Sequence, residues 1–197
     1  MSTLRSFHRG AAAALVLALT AVCAPSRPVP PKEEAKAKTA VRVPAVEARP
    51  GDVSTLDGVI GAFYEVISGP AGKPREWARD RTLYIPGVRF VAMTADRDGT
   101  PVPEVTSHQE YVDRTDAGLV ERGFYESEIH RVTRRFGNIA HVFSTYEIRR
   151  AKDGPVLGRG VNSMELFWDG SRWWIAAAVW ETEREGNPIP PELLPPG

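Results

Sequence analysis

Cysteine is almost absent from this chain. Cys23 is the only one in 197 residues, so no intramolecular disulfide can form. An excess of charge of either sign is missing too: Lys+Arg and Asp+Glu both number 25. Without a strong field, and without a basic stripe interleaved with aromatics, neither nucleic acid nor an anionic lipid surface is an expected partner. No His-x-His, HExxH or paired-cysteine spacing occurs, so neither a metal nor another cofactor is expected. The G-x-S-x-G elbow, the P-loop and the dinucleotide glycine fingerprint are likewise missing.

A long hydrophobic run is also lacking. The apolar stretch Ala11–Val22 comes after the basic Arg5, His8 and Arg9. It is too short for a stable membrane span, and its flanks are those of an export signal. Residues 1–23 are therefore read as a signal peptide, which implies export to the periplasm, the cell envelope or the medium. Cys23 is either the lipid-anchored first residue of a lipoprotein or a small residue at an ordinary cleavage site. Thr20-Ala21-Val22-Cys23 departs from a lipobox, lacking Leu three before the cysteine and Gly or Ala just before it.

The next stretch is rich in proline and poor in large apolar side chains. Residues 24–50 (APSRPVPPKEEAKAKTAVRVPAVEARP) cannot bury enough surface to offset ordering entropy, and read as a disordered spacer. The tail 185–197 (EGNPIPPELLPPG) reads as an extended strap docked through Ile189, Leu193 and Leu194.

One domain, 51–184, lies between. Leu56, Val59, Ile60, Phe63, Tyr64 and Ile67 fall on one helical face, started by Ser54 with Asp57 and ended by Gly69-Pro70. A short helix near Pro74 carries Trp77. Val88–Met93 reads as a strand and Asp96–Gly99 as a turn. Ser107 with Glu110 is a capping pair that opens a third helix, stopped at Gly123. The period then changes to two. Strands are read over 124–135, 139–150, 156–168 and 172–183, with turns at Phe136-Gly137-Asn138, Lys152-Asp153-Gly154 and Asp169-Gly170. Helices followed by a long meander define an α+β class, helices packed on one face of an antiparallel sheet.

The segments FGNIAHVFSTYE (136–147) and GRGVNSMELFWDGSRWWIAAAVW (158–180) resemble the carboxy-terminal strands of NTF2-like, SnoaL-type domains. The element order over about 55–184 is similar as well. The resemblance implies a cone with three helices over a curved sheet, a pocket between them, and homodimers paired through the outer sheet face. It implies no one activity, since such domains include isomerases, dehydratases, epoxide hydrolases, cyclases and non-catalytic modules.

The resemblance also puts Ala140, Val142, Ser144 and Tyr146 inside. Counting by twos then places Glu128, His130 and Val132 inside in the strand before. Asn162, Met164 and Leu166 go inside in the strand after, and Trp173, Ile175, Ala177 and Val179 in the last. A single bulge inverts every assignment beyond it. On this parity Glu128, His130 and Tyr146 are the candidate catalytic groups: Glu128 or His130 moves a proton and Tyr146 holds an oxygen. Tyr64, Trp77, Ser144, Asn162 and Met164 are the candidate ligand contacts. Against this stands a bland alternative, in which the same polar groups satisfy one another and the tyrosines pack. The arginines around the 136–138 turn, with Glu126 and Glu147 as counter-charges, read as a solvated charged face. Trp174 and Trp180 form either an outer patch suited to dimerisation or part of the core. The expected function is an exported domain holding a small, largely apolar ligand. A cofactor-independent isomerase or dehydratase, and a structural homodimer of the envelope, are the alternatives.

Overall fold

A computed structural model describes residues 40–197. The stretch read as a signal peptide, Cys23 and the first part of the stretch read as a spacer lie outside the described residues.

The elements run α1 (Pro50–Val53), α2 (Leu56–Ile67), α3 (Trp77–Arg81), β1 (Arg89–Ala95), β2 (Pro101–Ser107), α4 (His108–Arg122), β3 (Tyr125–Phe136), β4 (Ile139–Arg149), β5 (Gly158–Trp168) and β6 (Trp173–Thr182). A turn of 3-10 helix (Pro191–Leu193) comes last. The six strands form one curved, unclosed sheet in the order β2-β1-β6-β5-β4-β3. All neighbours are antiparallel except β1 and β6, which run parallel. This is the α+β class that the change of period implies.

Local chemistry sets the boundaries. Thr55, one residue beyond the expected Ser54, caps α2 by accepting a bond from the Gly58 amide. Ser107 and Glu110 form the full capping box at the start of α4, satisfying two otherwise orphaned amides. The sequence pattern gives no sign of β2, since Pro101 and Pro103 remove two ladder donors. An edge position tolerates that loss, and β2 lies at the edge.

The core sits between the concave face of the sheet and the helices. Val59, Ile60 and Val66 of α2 are fully buried against Val142, Met164 and Ile175. Each such side chain contributes roughly 1.5–3 kcal/mol of burial.

Two bulges correct the counting by twos. In β3, Glu128 faces Tyr146 while His130 faces Thr145, leaving Ile129 unpaired. Beyond it Arg131, paired with Ser144, takes the inner face, and His130 and Val132 take the outer one. In β6 the register shifts between the Leu166–Ile175 and Glu165–Ala177 pairs. Trp173 and Ile175 stay inside, but Ala178 and Trp180 replace Ala177 and Val179 there.

The segment read as spacer is docked from Val41 onward. The Val41 amide donates to Asp113 Oδ1 at 2.7 Å, Gln109 donates to the Val41 carbonyl, and Arg81 to that of Val43. Val43 is buried. Side chains of α3 and α4 thus supply partners that composition alone does not reveal. The tail lies on the outer sheet face: Thr145 Oγ1 donates to the Leu193 carbonyl, and Ile189 is buried.

Candidate functional site

Tyr64 stands on the inner face of α2, where the helical spacing places it. Its hydroxyl lies 2.6 Å from Ser144 Oγ and accepts from Asn162 Nδ2 at 3.1 Å. Ser144 gives its own proton to Glu128 Oε2, so Tyr64 must donate to Ser144. Glu128 also takes bonds from Arg131 Nε (3.0 Å) and Nη2 (2.7 Å), and Arg131 Nη1 reaches Asp57 Oδ1 at 2.6 Å. The network therefore runs one way, from the Asn162 amide through two hydroxyls to Glu128, which Arg131 clamps. Burial first, then the charge of Glu126, pushes the Tyr64 hydroxyl well above its ordinary value, keeping it a donor.

Beside this network the cone is hollow. A cavity of about 310 Å³ opens between α2, α4 and the sheet. Its wall is aromatic: Phe63, Tyr84, Phe90, Tyr111, Phe124 and Trp180. Phe90, Tyr111 and Trp180 meet pairwise at 5.4–6.0 Å between centroids, steeply tilted to one another. Three polar groups from neighbouring strands also line the hollow: Glu126 of β3, Tyr146 of β4 and Asn162 of β5. Arg114 and Glu104 also line it, held to each other at 2.8 Å.

Glu126 is the unusual member. Burial pushes its carboxyl from the ordinary 4.5 up to about 7, opposed only by the bond from Asn162 Nδ2 to Oε1 at 3.2 Å. No Lys, Arg or His pairs with it among the described residues. Tyr146, raised to about 12 by burial and then by Glu126, keeps its proton at neutral pH. Its hydroxyl is only loosely engaged, 3.5 Å from Thr182 Oγ1. The room for that ring comes from Gly160 across the ladder: a Cβ there would overlap the Tyr146 hydroxyl and lie 2.6 Å from the Glu181 carbonyl.

The expected residues separate accordingly. Tyr146 and Asn162 line the hollow. Tyr64, Ser144 and Glu128 form the hydrogen-bonded layer beside it. Met164 is fully buried in the core. Trp77 stands behind Tyr111, edge-on at 6.1 Å, and donates its indole N–H to Asp116. His130 is turned to the outer face by the bulge, so it does not meet Glu128 as an acid–base partner. Trp180 is a cavity wall and not an outer patch, whereas Trp174 stacks under Arg172 at 3.6 Å. Glu126, read from the sequence as a counter-charge on a solvated face, is instead the carboxyl of the hollow. The available signal is its place two residues before Glu128, on the side of the bulge where the parity holds. No cluster of three or more metal-ligating side chains occurs among the described residues.

The architecture is α+β, with helices over the concave face of one curved, unclosed six-stranded sheet. No protein-family model matches the chain, and no curated protein matches it. Among solved structures it is similar to a cystatin-like protein of unknown function from Nostoc punctiforme (TM-score 0.48, 7% identity, 64% of this chain and 86% of that one). It is also similar to a protein of unknown function from Mycobacterium tuberculosis (0.49, 14%, 66% and 70%). A third is an NTF2-like protein of unknown function from Shewanella baltica (0.42, 13%, 64% and 89%). Likeness of this degree assigns no role to any residue.

Proposed function

We propose that this chain is an exported domain that holds a small, largely apolar ligand in its cone. The observation that carries the reading is the hollow itself: an aromatic wall with Glu126, Asn162 and Tyr146 converging on it, the usual form of a small-molecule site. Had Met164, Phe63 and Trp173 filled this space, no ligand could enter. Instead Met164 and Trp173 lie in the core and Phe63 forms wall. Native mass spectrometry of protein taken from its own cell envelope tests the reading. A retained small molecule that is lost on Trp180→Ala supports it. A bare protein that also fails to bind a panel of aromatic fragments contradicts it. Intact mass tests the export half of the proposal, which expects a mature chain starting at or just after Cys23, with or without acyl groups.

A second reading, a cofactor-independent proton-transfer enzyme, is favoured by one observation. A half-buried carboxyl that lines an aromatic hollow beside the Tyr146 hydroxyl, with burial raising its pKa, suits a general base or acid. In this reading Glu126 moves the proton and Tyr146 holds the oxygen, because Glu128 is committed to Arg131 and His130 faces outwards. Its test is hydrogen–deuterium exchange into carbonyl-bearing aromatic fragments, lost in Glu126→Gln.

A further inference from the structure

We propose that the ligand of this cone is a lipophilic cation, a small amine whose ammonium sits on Glu126 and whose apolar body lies against the aromatic wall. The proposal deepens the ligand-binding reading and rests on it.

The charge inventory points there. The amide of Asn162 of β5 bonds Glu126; the hydroxyl-bearing Tyr84, Tyr111 and Tyr146 line the same hollow, Tyr64 stands beside it, and the charged pair Asp80–His108 lies behind Tyr84, its members bonded to each other at 2.8 Å. Arg114, which lines the hollow, pairs with Glu104 at 2.8 Å across an exposed bridge, not with Glu126. Arg131 is held by Glu128 and Asp57. Glu126 is thus a carboxyl without a counter-ion among the described residues, in a space that disfavours its charge. An anionic ligand would add a second negative group. A neutral one would leave the carboxylate unpaired above pH 7. An ammonium supplies the missing partner.

The wall suits the same guest. Phe90, Tyr111 and Trp180, mutually tilted, line one space, and aromatic rings attract cations. The volume of about 310 Å³ holds roughly ten water-sized groups, which fits an arylalkylamine. The hydroxyls of Tyr146, Thr182 and Thr115 on the lining offer further oxygens for ammonium protons. Binding must displace the proton from Glu126, so affinity rises as pH climbs through 7, and proton release accompanies binding near neutrality.

Isothermal titration of the purified whole chain at pH 8 compares three probes of one shape: 2-phenylethylamine, 2-phenylethanol and phenylacetate. The amine should bind at least about tenfold more tightly than the alcohol, a charge-pairing preference, and phenylacetate should bind weakest. At pH 5.5 the preference should shrink, and Glu126→Gln should level amine and alcohol at both pH values. Equal binding of amine and alcohol by the unaltered chain, or a preference that survives Glu126→Gln, overturns the cation proposal while leaving a ligand-binding cone. Failure of all three to bind contradicts the cone's use as an aryl-ligand site, and the cation proposal with it.

Discussion

Glu126 and Asn162 are joined by a single hydrogen bond, Nδ2 to Oε1 at 3.2 Å, and that amide is the carboxyl's only side-chain partner among the described residues. The same amide group holds Tyr64 at 3.1 Å. One side chain of β5 therefore connects two carboxyls with different partners: Glu128, clamped by Arg131, and Glu126, which no Lys, Arg or His among the described residues pairs.

The first prediction concerns pH. Glu126 is raised from 4.5 to about 7 in the folded chain, so the folded state binds its proton more tightly than the unfolded state does. The stability this contributes is fully present below about pH 4.5 and is lost as pH rises through 7. Glu126→Gln should leave stability nearly unchanged at pH 4.5 and raise it at pH 8 by on the order of 2 kcal/mol. Urea unfolding of both chains at the two pH values measures this.

Gly160 and Tyr146 form a space-sharing pair. Gly160→Ala should destabilise the fold by roughly 1–3 kcal/mol through overpacking. Adding Tyr146→Phe should recover only part of that loss, because the new methyl also meets the Glu181 carbonyl. A double-mutant cycle in chemical denaturation reads the coupling.

The two carboxy-terminal tryptophans should behave differently. Trp180→Ala removes a ring packed on Phe90 and Tyr111 and should cost roughly 2–4 kcal/mol. Trp174→Ala, a surface ring stacked on Arg172, should cost less than about 1 kcal/mol. Thermal unfolding distinguishes them. His130→Ala, on the outer face, should leave ligand affinity within about twofold of the parent, a change under about 0.5 kcal/mol.

Much of the fold is legible in the sequence, and the exceptions have physical reasons. Turn chemistry at Gly137, Gly154 and Gly170 delimits the four long strands, and the Ser107–Glu110 box marks the start of α4. These signals are local and survive any tertiary context. The bulges at Ile129 and Ala176 have no signature of their own. They arise where a curved sheet must bend, and each flips the residues beyond it. That is why counting by twos from the strand that the resemblance orients turns Glu128 and Asn162 inwards correctly and fails for His130, Val132, Ala177 and Val179. Pro101 and Pro103 hide an edge strand. Glu126 is hidden by its neighbours: beside Arg131, Arg134 and Arg135 it reads as one charge among many, and only the fold separates it from them.

The outer sheet face gives the remaining prediction. Thr145 points outwards from β4 yet is 1% exposed, because Leu193 and its turn lie over it. Leu193→Asp should loosen the strap, losing about 1–2 kcal/mol of apolar burial, and speed amide exchange around Thr145. Pairing of two copies through this face, which the family resemblance implies, is a proposal. Sedimentation of the parent and Leu193→Asp chains tests it: a dimer favoured by the loosened strap supports that face as the contact, and a dimer weakened by it points to a contact that uses the strap.

The most direct measurement is the titration of the Glu126 carboxyl itself, by carbon NMR on selectively labelled protein, without and with 2-phenylethylamine. A midpoint near 7 that falls by about a unit or more when the amine binds is the expected result. A midpoint near 4.5, the ordinary value, unmoved by the amine, would mean that the hollow is wet and ordinary, with Glu126 no more than a solvated charge.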